Sequence, residues 1–193
     1  MAEQLRLVSG IASALLQKPS IATGEGLEAK EFLTFYDEFF PRVYNYIRFR
    51  CGDALSTDDL TSVVFEKALC KFGDYDPQRG PFGAWLFGIA RNTVNTYLRA
   101  ASKQNCLPLD TICEHHDVEP LPEERVIQSE TKEELLAALS RLDGRDRDLL
   151  SLKFAGHLTN RRIAEITNLS ESNVGIILHR ALHKLRSALE SKE

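Results

Sequence analysis

No stretch of this sequence approaches the roughly 18 consecutive apolar residues of a membrane span, and membrane insertion is not expected. The apolar run Leu5 to Leu16 is broken by Ser9, Gly10 and Ser13, with Glu3 ahead of it and no clear basic start. It reads as an amphipathic turn or helix rather than a signal peptide, which leaves a cytoplasmic protein as the expectation. A glycine-rich phosphate loop, an H-E-x-x-H pair and a nucleophile elbow are all missing, so an enzyme is the least favoured class. The four cysteines form no C-x-x-C pair. Cys51 and Cys70 fall in helical patterns and read as small core or boundary residues. Cys106, Cys113, His115 and His116 lie close together, but their spacing fits no usual zinc site. They read as part of a linker, and neither metal nor cofactor is expected.

A strong excess of charge is missing too, at a formal net charge of −4. Divided along the chain, the charge is informative. Residues 1–30 and 31–103 are each balanced, 104–130 carry seven acids against one base, and 131–193 carry a net of +2. A chain so weakly basic is not a strong independent DNA binder, because phosphate neutralisation supplies most non-specific affinity. That balance suits a subunit relying on a larger partner for grip.

What is present is helix. From Leu27 to Phe49 the residues Phe32, Phe35, Tyr36, Phe39, Phe40, Val43, Tyr44 and Ile47 form a broad apolar face. Pro41 should kink this helix or start a second segment. Cys51-Gly52-Asp53 breaks the pattern, and Ser56 or Thr57 is the expected cap of the next helix. Asp58 and Asp59 then fall in its first turn, where acid suits the helix dipole. Leu60, Val63, Val64, Ala68 and Leu69 give its buried side. A turn-rich loop from Gly73 to Pro81 leads into a helix over 82–99 carrying Phe82, Trp85, Leu86, Ile89, Ala90, Val94, Tyr97 and Leu98. Beside that stripe sit Arg91, Asn92, Asn95, Thr96 and Arg99. Rings, guanidinium groups and amides in one place are what an unpaired nucleic-acid strand needs. Aromatic residues at helical spacing are also what a core needs, and composition alone does not separate the two.

Residues 103–128 lose the helical period and hold Pro108, Pro120 and Pro122 among their acids, the composition of a tether. Helical pattern returns at Thr131, which with Glu134 makes a possible capping box. Leu135, Leu136, Leu139 and Leu142 form one face. After the Asp143-Gly144 turn, Leu149, Leu150, Leu152 and Phe154 form the next, ending at Ala155-Gly156. Thr159 then caps a short helix carrying Ile163, Ala164 and Ile166, Asn168 turns the chain, and Ser170 caps a helix carrying Val174, Leu178, Ala181, Leu182 and Leu185. Two capped helices about a tight turn read as a helix-turn-helix. By helical period, Ile177 belongs to the core more than Ile176 does.

Three motifs carry a resemblance. DP-x-RG-x-F-x-AWL-x-x-IARN, from Asp76 to Asn92, is similar to the second conserved region of group IV (extracytoplasmic-function, ECF) sigma factors of bacterial RNA polymerase. S-T-D-D-L-T-S-V-V-F, from Ser56, resembles the helix with which those factors dock on the polymerase clamp, with Ser62 where Gln is common and Val63 where Glu is common. L-T-x-x-x-I-A-E-I, continuing through Leu169 and Val174 to Lys184-Leu185-Arg186, resembles their fourth conserved region. Together these cover about Glu31 to Leu189.

The resemblance implies an all-α protein of two small helical domains joined by a flexible acidic linker. Residues 1–26 would be an N-terminal extension, 27–103 region 2, 104–128 the linker and 129–193 region 4. Core RNA polymerase would meet Asp58, Asp59, Leu60, Ser62, Val63 and Glu66, the two aspartates being equally explained by capping. Asp76, Arg79, Phe82, Trp85, Arg91, Asn92, Thr96 and Arg99 would open and read the minus-ten DNA. Thr159, Arg161, Arg162, Ser170, Ser172, Asn173, Gly175, Ile176, His179 and Arg180 would read the minus-thirty-five DNA. The linker would thread near the polymerase active centre, or remain a solvated tether. Family members commonly carry Lys-Ser-Arg or similar after the recognition-helix Val, where this chain has Gly175-Ile176-Ile177. An anti-sigma protein would be a further partner, and the free chain a monomer. Two rival readings stay open: a dimeric helix-turn-helix regulator acting alone, and a sigma mimic that titrates an anti-sigma protein.

Overall fold

The computed structural model describes residues 25–104 and 133–190, and the described residues are helices joined by short turns. Residues 1–24 of the N-terminal extension, the acidic segment with Cys106, Cys113, His115 and His116, and the Thr131 half of the capping box lie outside them, and the last two residues of the expected extension, Glu25 and Gly26, are helical. Helix α1, Glu25–Cys51, is 27 residues long, about 40 Å at the α-helical rise. It continues unbroken through Pro41, so no second segment starts there. Phe32, Tyr36, Phe39, Val43, Tyr46, Ile47 and Arg50 mark its buried stripe. The helix stops at Gly52, whose φ of 88° needs a residue without a Cβ penalty.

Helix α2, Ala54–Cys70, is capped by Asp53, whose carboxylate accepts the amide hydrogen of Ser56 at 2.7 Å. The cap is therefore neither Ser56 nor Thr57. A carboxylate one turn earlier reaches the free amides first, and Thr57 instead turns its hydroxyl onto the Asp53 carbonyl. Asp58 and Asp59 consequently stand beyond the first turn, which holds no acid. Thr57, Leu60, Thr61, Val64, Phe65 and Ala68 are buried. A 3₁₀ turn, Phe72–Asp74, and a loop lead to α3, Phe82–Gln104.

Residues 133–140 form α4, followed by α5, Gly144–Phe154. Asp143 caps α5 by accepting from the amides of Arg145 at 3.1 Å and Asp146 at 2.8 Å. The Asp146 amide, and then Lys184, hold its carboxyl below the usual range. Phe154, expected on the buried face, is 51% exposed, because α5 buries Asp146, Asp148, Leu149, Leu150, Ser151 and Leu152 instead. Helix α6, Asn160–Thr167, is capped by Thr159 as expected, and Asn168 turns the chain in the left-handed conformation at φ 58°. Ser170 caps α7, Glu171–Glu190, by accepting from the Asn173 amide at 3.2 Å. The short α6 and long α7 form the helix-turn-helix.

The two halves share a single core. Helix α1 packs against α2 and α3 of its own half and against α5 of the other. Phe87 of α3 and Leu152 of α5 are both fully buried.

The two described cysteines face different environments. Cys51 is half-buried at the end of α1, and its thiol is pushed up to about 11, chiefly by burial and then by Asp53. Cys70 is exposed. Since the thiolate is the nucleophile, iodoacetamide at pH 8 should alkylate Cys70 well before Cys51. Peptide mass spectrometry over a time course checks this; equal rates would mean that α1 frays to Cys51.

Candidate nucleic-acid interface

The loop before α3 is built on Asp76, whose carboxylate accepts from the Gln78 amide at 2.9 Å while its carbonyl accepts from the Arg79 amide. Tyr75 donates its hydroxyl to the Gly80 carbonyl at 3.2 Å, which closes the loop over the start of α3. Behind it stands an aromatic stack. Phe35 and Phe82 lie face to face at 4.1 Å, and Trp85 leans on both Tyr75 at 5.5 Å and Phe82 at 5.3 Å. Gly83 lets α3 approach so closely that a Cβ there would sit 2.7 Å from the Phe39 ring.

This arrangement separates the expected minus-ten residues. Trp85 is half-buried, with Asn92, Thr96 and Arg99 exposed. At spacings of seven, four and three they share one outward face of α3. Asp76 and Arg79 are exposed in the loop. Phe82 does not belong with them: it is buried at the centre of the stack, where it supports Trp85 and cannot meet a base. Arg91 faces sideways toward the other half and is bound there.

That binding belongs to a clasp of charged groups which sequence reasoning missed. Asp148 on α5 accepts from the Tyr46 hydroxyl at 2.9 Å and from Arg91 Nε at 2.7 Å, and the Arg50 guanidinium stands in an ion pair with it at 3.2 Å. Arg50 and Asp148 are each only 5% exposed. Arg50 also donates to the Gly144 carbonyl and the Asn95 side-chain oxygen, both at 3.0 Å. Arg91 reaches the Ile166 carbonyl as well, at 3.4 Å. Nearby, Arg42 lies over the Phe39 ring and donates to the Gly156 carbonyl. Arg147 returns the contact, donating to the carbonyls of Arg50, Ser140 and Leu142. Burial, and then the charge of Asp148, push the Tyr46 phenol well above its ordinary range, so it stays a donor. The signal in the sequence was Arg50 itself: it continues the buried stripe of α1, at a position where a charge needs a partner.

On α2, Asp58, Asp59 and Glu66 are exposed, with Ser62 and Val63 half-buried beside them. Leu60 points into the core and has no surface to offer a partner. In the helix-turn-helix, Ser172, His179 and Arg180 are exposed and Asn173 and Gly175 half-buried. Ile176 is 59% exposed and Ile177 only 2%, so the two isoleucines divide as their spacing predicts. Thr159 and Ser170 serve as caps. Arg161 and Arg162 both pair with Glu165, at 3.5 and 2.6 Å, and Arg162 also lies against Gly80 of the loop. Among the described residues no group of acidic, histidine or cysteine side chains could hold a metal, and no helix is long and apolar enough to cross a membrane.

Comparison with known proteins agrees with this two-part architecture. Residues 35–104 match the model of sigma-70 region 2, and residues 132–185 that of sigma-70 region 4. The ECF RNA polymerase sigma factor ShbA of Streptomyces griseus is 31% identical, over 78% of this chain and 83% of its own length. The ECF sigma factor BldN of Streptomyces coelicolor is also 31% identical, over 84% of this chain, which spans 61% of that protein's length. In three dimensions the chain is similar to the sigma factor RpoE, solved in complex with the anti-sigma factor NepR from Bartonella quintana (TM-score 0.67, 18% identity, 85% of this chain and 99% of that one). It is also similar to CnrH, solved with the cytosolic domain of CnrY (TM-score 0.62, 20% identity, 94% of this chain and 96% of that one). Described residues that are helical throughout, matching sigma-70 region 2 in one half and region 4 with its helix-turn-helix in the other, define a two-domain sigma factor by class. The chain belongs to the ECF family of RNA polymerase sigma factors.

Proposed function

We propose that this chain is an alternative sigma factor that directs bacterial core RNA polymerase to its own set of promoters and opens them. The observation that carries the reading is the order of parts in one chain: a helix with exposed acids, a ring-and-amide face on α3, then a capped helix-turn-helix. The exposed side of α2, with Asp58, Asp59, Ser62, Val63 and Glu66, would meet the polymerase. Trp85, Asn92, Thr96 and Arg99, with Asp76 and Arg79, would take the minus-ten strand. An unpaired base would exchange its stacking in the duplex for contact with Trp85 and the amide of Asn92, a trade that needs no covalent step. Thr159, Arg161, Arg162, Ser170, Ser172, Asn173, Gly175, Ile176, His179 and Arg180 would face the minus-thirty-five duplex. The chain itself would carry no catalysis, and an anti-sigma protein would be its regulator. In the structure Arg91 Nε is engaged by the Asp148 carboxylate and Nη1 by the Ile166 carbonyl, so the remaining donors of its five-donor fork would be the ones to meet a DNA phosphate.

The test is core binding. Purified chain titrated into sigma-free core polymerase should form a complex by size exclusion. D58K/D59K/E66K, all on exposed positions, should weaken it at least tenfold, whereas I176A should leave it unchanged. Tight binding to duplex DNA without any core complex would favour the autonomous regulator.

A further inference from the structure

The outward face of α7 runs through Ser172, Gly175, Ile176 and His179, at the helical spacings of three, four and seven. Its middle carries no charge. From Ile163 to Leu178 there is no lysine, arginine or histidine. Guanine in the major groove is read most often by arginine or lysine, and the first turns of a recognition helix are the ones that reach the bases. The turns of α7 that would enter the groove first thus lack the usual guanine reader. They present Ser172, the amide of Asn173 and the side chain of Ile176.

Two features of this spot point outward. Ile176 is 59% exposed on a face that otherwise carries no large apolar side chain from Ser172 to His179, while Ile177, facing inward, is buried. Gly175 has no internal reason to be glycine. A Cβ there would meet nothing nearer than the Asn160 amide nitrogen at 3.9 Å, and its φ is not among the positive ones. Glycine within a helix costs about 1 kcal/mol relative to alanine, and here it leaves the surface beside Ile176 open. The surroundings identify the visitor. His179 and Arg180 on α7 flank the apolar spot, and the side chain of Asn160 on α6 lies beside Gly175. A polar rim with Arg180 as its cation and exposed Glu171 one turn before Gly175 leaves the apolar centre at Ile176 as the feature to be matched, and the one apolar group in the major groove is the thymine 5-methyl.

We propose, resting on the sigma-factor reading, that Gly175 and Ile176 form an apolar reading element that takes the 5-methyl group of a thymine in the minus-thirty-five DNA. Gly175 clears the approach and Ile176 makes the contact.

The experiment uses holoenzyme assembled from the full chain and core polymerase. Preferred promoters are selected from a library randomised across the minus-thirty-five element, and each selected thymine is then replaced by uracil, which removes only the methyl. One such replacement should weaken binding about four-fold, the loss expected from one methyl-sized apolar contact. I176A should lose a similar factor on thymine DNA and lose nothing more on uracil DNA. G175A should raise the thermal stability of the free chain while weakening the thymine promoter. Equal binding of thymine and uracil DNA by the unmodified chain overturns the proposal, as does an I176A variant that keeps the full preference. A selected element with guanine and no thymine under α7 also overturns it. If no promoter is selected at all, the sigma-factor reading fails and this proposal with it.

Discussion

Replacing Asp148 with alanine should cost about 3–5 kcal/mol of the free energy that holds the two halves together, the range seen when one partner of a buried ion pair is removed. Asp148 accepts hydrogen bonds from Tyr46 and Arg91 and stands in an ion pair with Arg50. Without it, the Arg50 guanidinium stays buried with only the Gly144 carbonyl and the Asn95 side-chain oxygen to answer its charge. The chain relieves this by letting the halves part, so that water reaches Arg50. The expected signature is specific: the single melting transition of the unmodified chain splits into two in calorimetry, and amides of α3 and α5 near the boundary exchange faster. D148N should do less harm, since the amide oxygen still accepts from Tyr46. An unsplit transition at an unchanged midpoint would mean that the halves are held by apolar contact alone.

Phe87→Ala should be comparably costly, at about 3–5 kcal/mol for an aromatic ring removed from a core. Phe87 is fully buried on α3 and meets Tyr46 edge to face at 5.6 Å. It also packs against Gly156 from the other half, where a Cβ would stand 3.2 Å from the ring, and lies within 5.9 Å of the Arg42 guanidinium. Alanine would leave a void between the halves and loosen the Tyr46 ring that delivers its hydroxyl to Asp148. The two sites share Tyr46, so D148A/F87A should lose clearly less than the sum of the single losses. Denaturant titration of the four chains measures this, and strict additivity would show that ring and carboxylate act independently.

Much of this fold is written in periodicity. The stripe from Phe32 to Ile47, the αL turn at Asn168, the caps at Thr159 and Ser170 and the split between Ile176 and Ile177 follow from spacing and residue type. The departures have physical causes. The cap of α2 fell to Asp53 because a carboxylate just ahead of the helix outcompetes a hydroxyl inside it. Pro41 did not break α1, because the packed stripe on both sides of it outweighs one missing hydrogen bond. Leu60 and Phe82 carry the family motif yet point inward, since a motif fixes residue order and not the direction of each side chain. The clasp was the least legible part. It joins residues more than 100 positions apart, Tyr46 to Asp148, and such pairing shows only as charges standing in buried registers. Those charges also bear on function, because Arg91 is expected at DNA and is found on Asp148.

The central claim is tested most directly by run-off transcription. Purified chain is added to sigma-free core polymerase on pooled bacterial promoter fragments, and the starts are mapped. The account predicts new, sequence-specific starts that need both components, weakened several-fold by W85A and aligned on a shared pair of upstream elements. Core binding with no starts would contradict it and leave a sigma mimic.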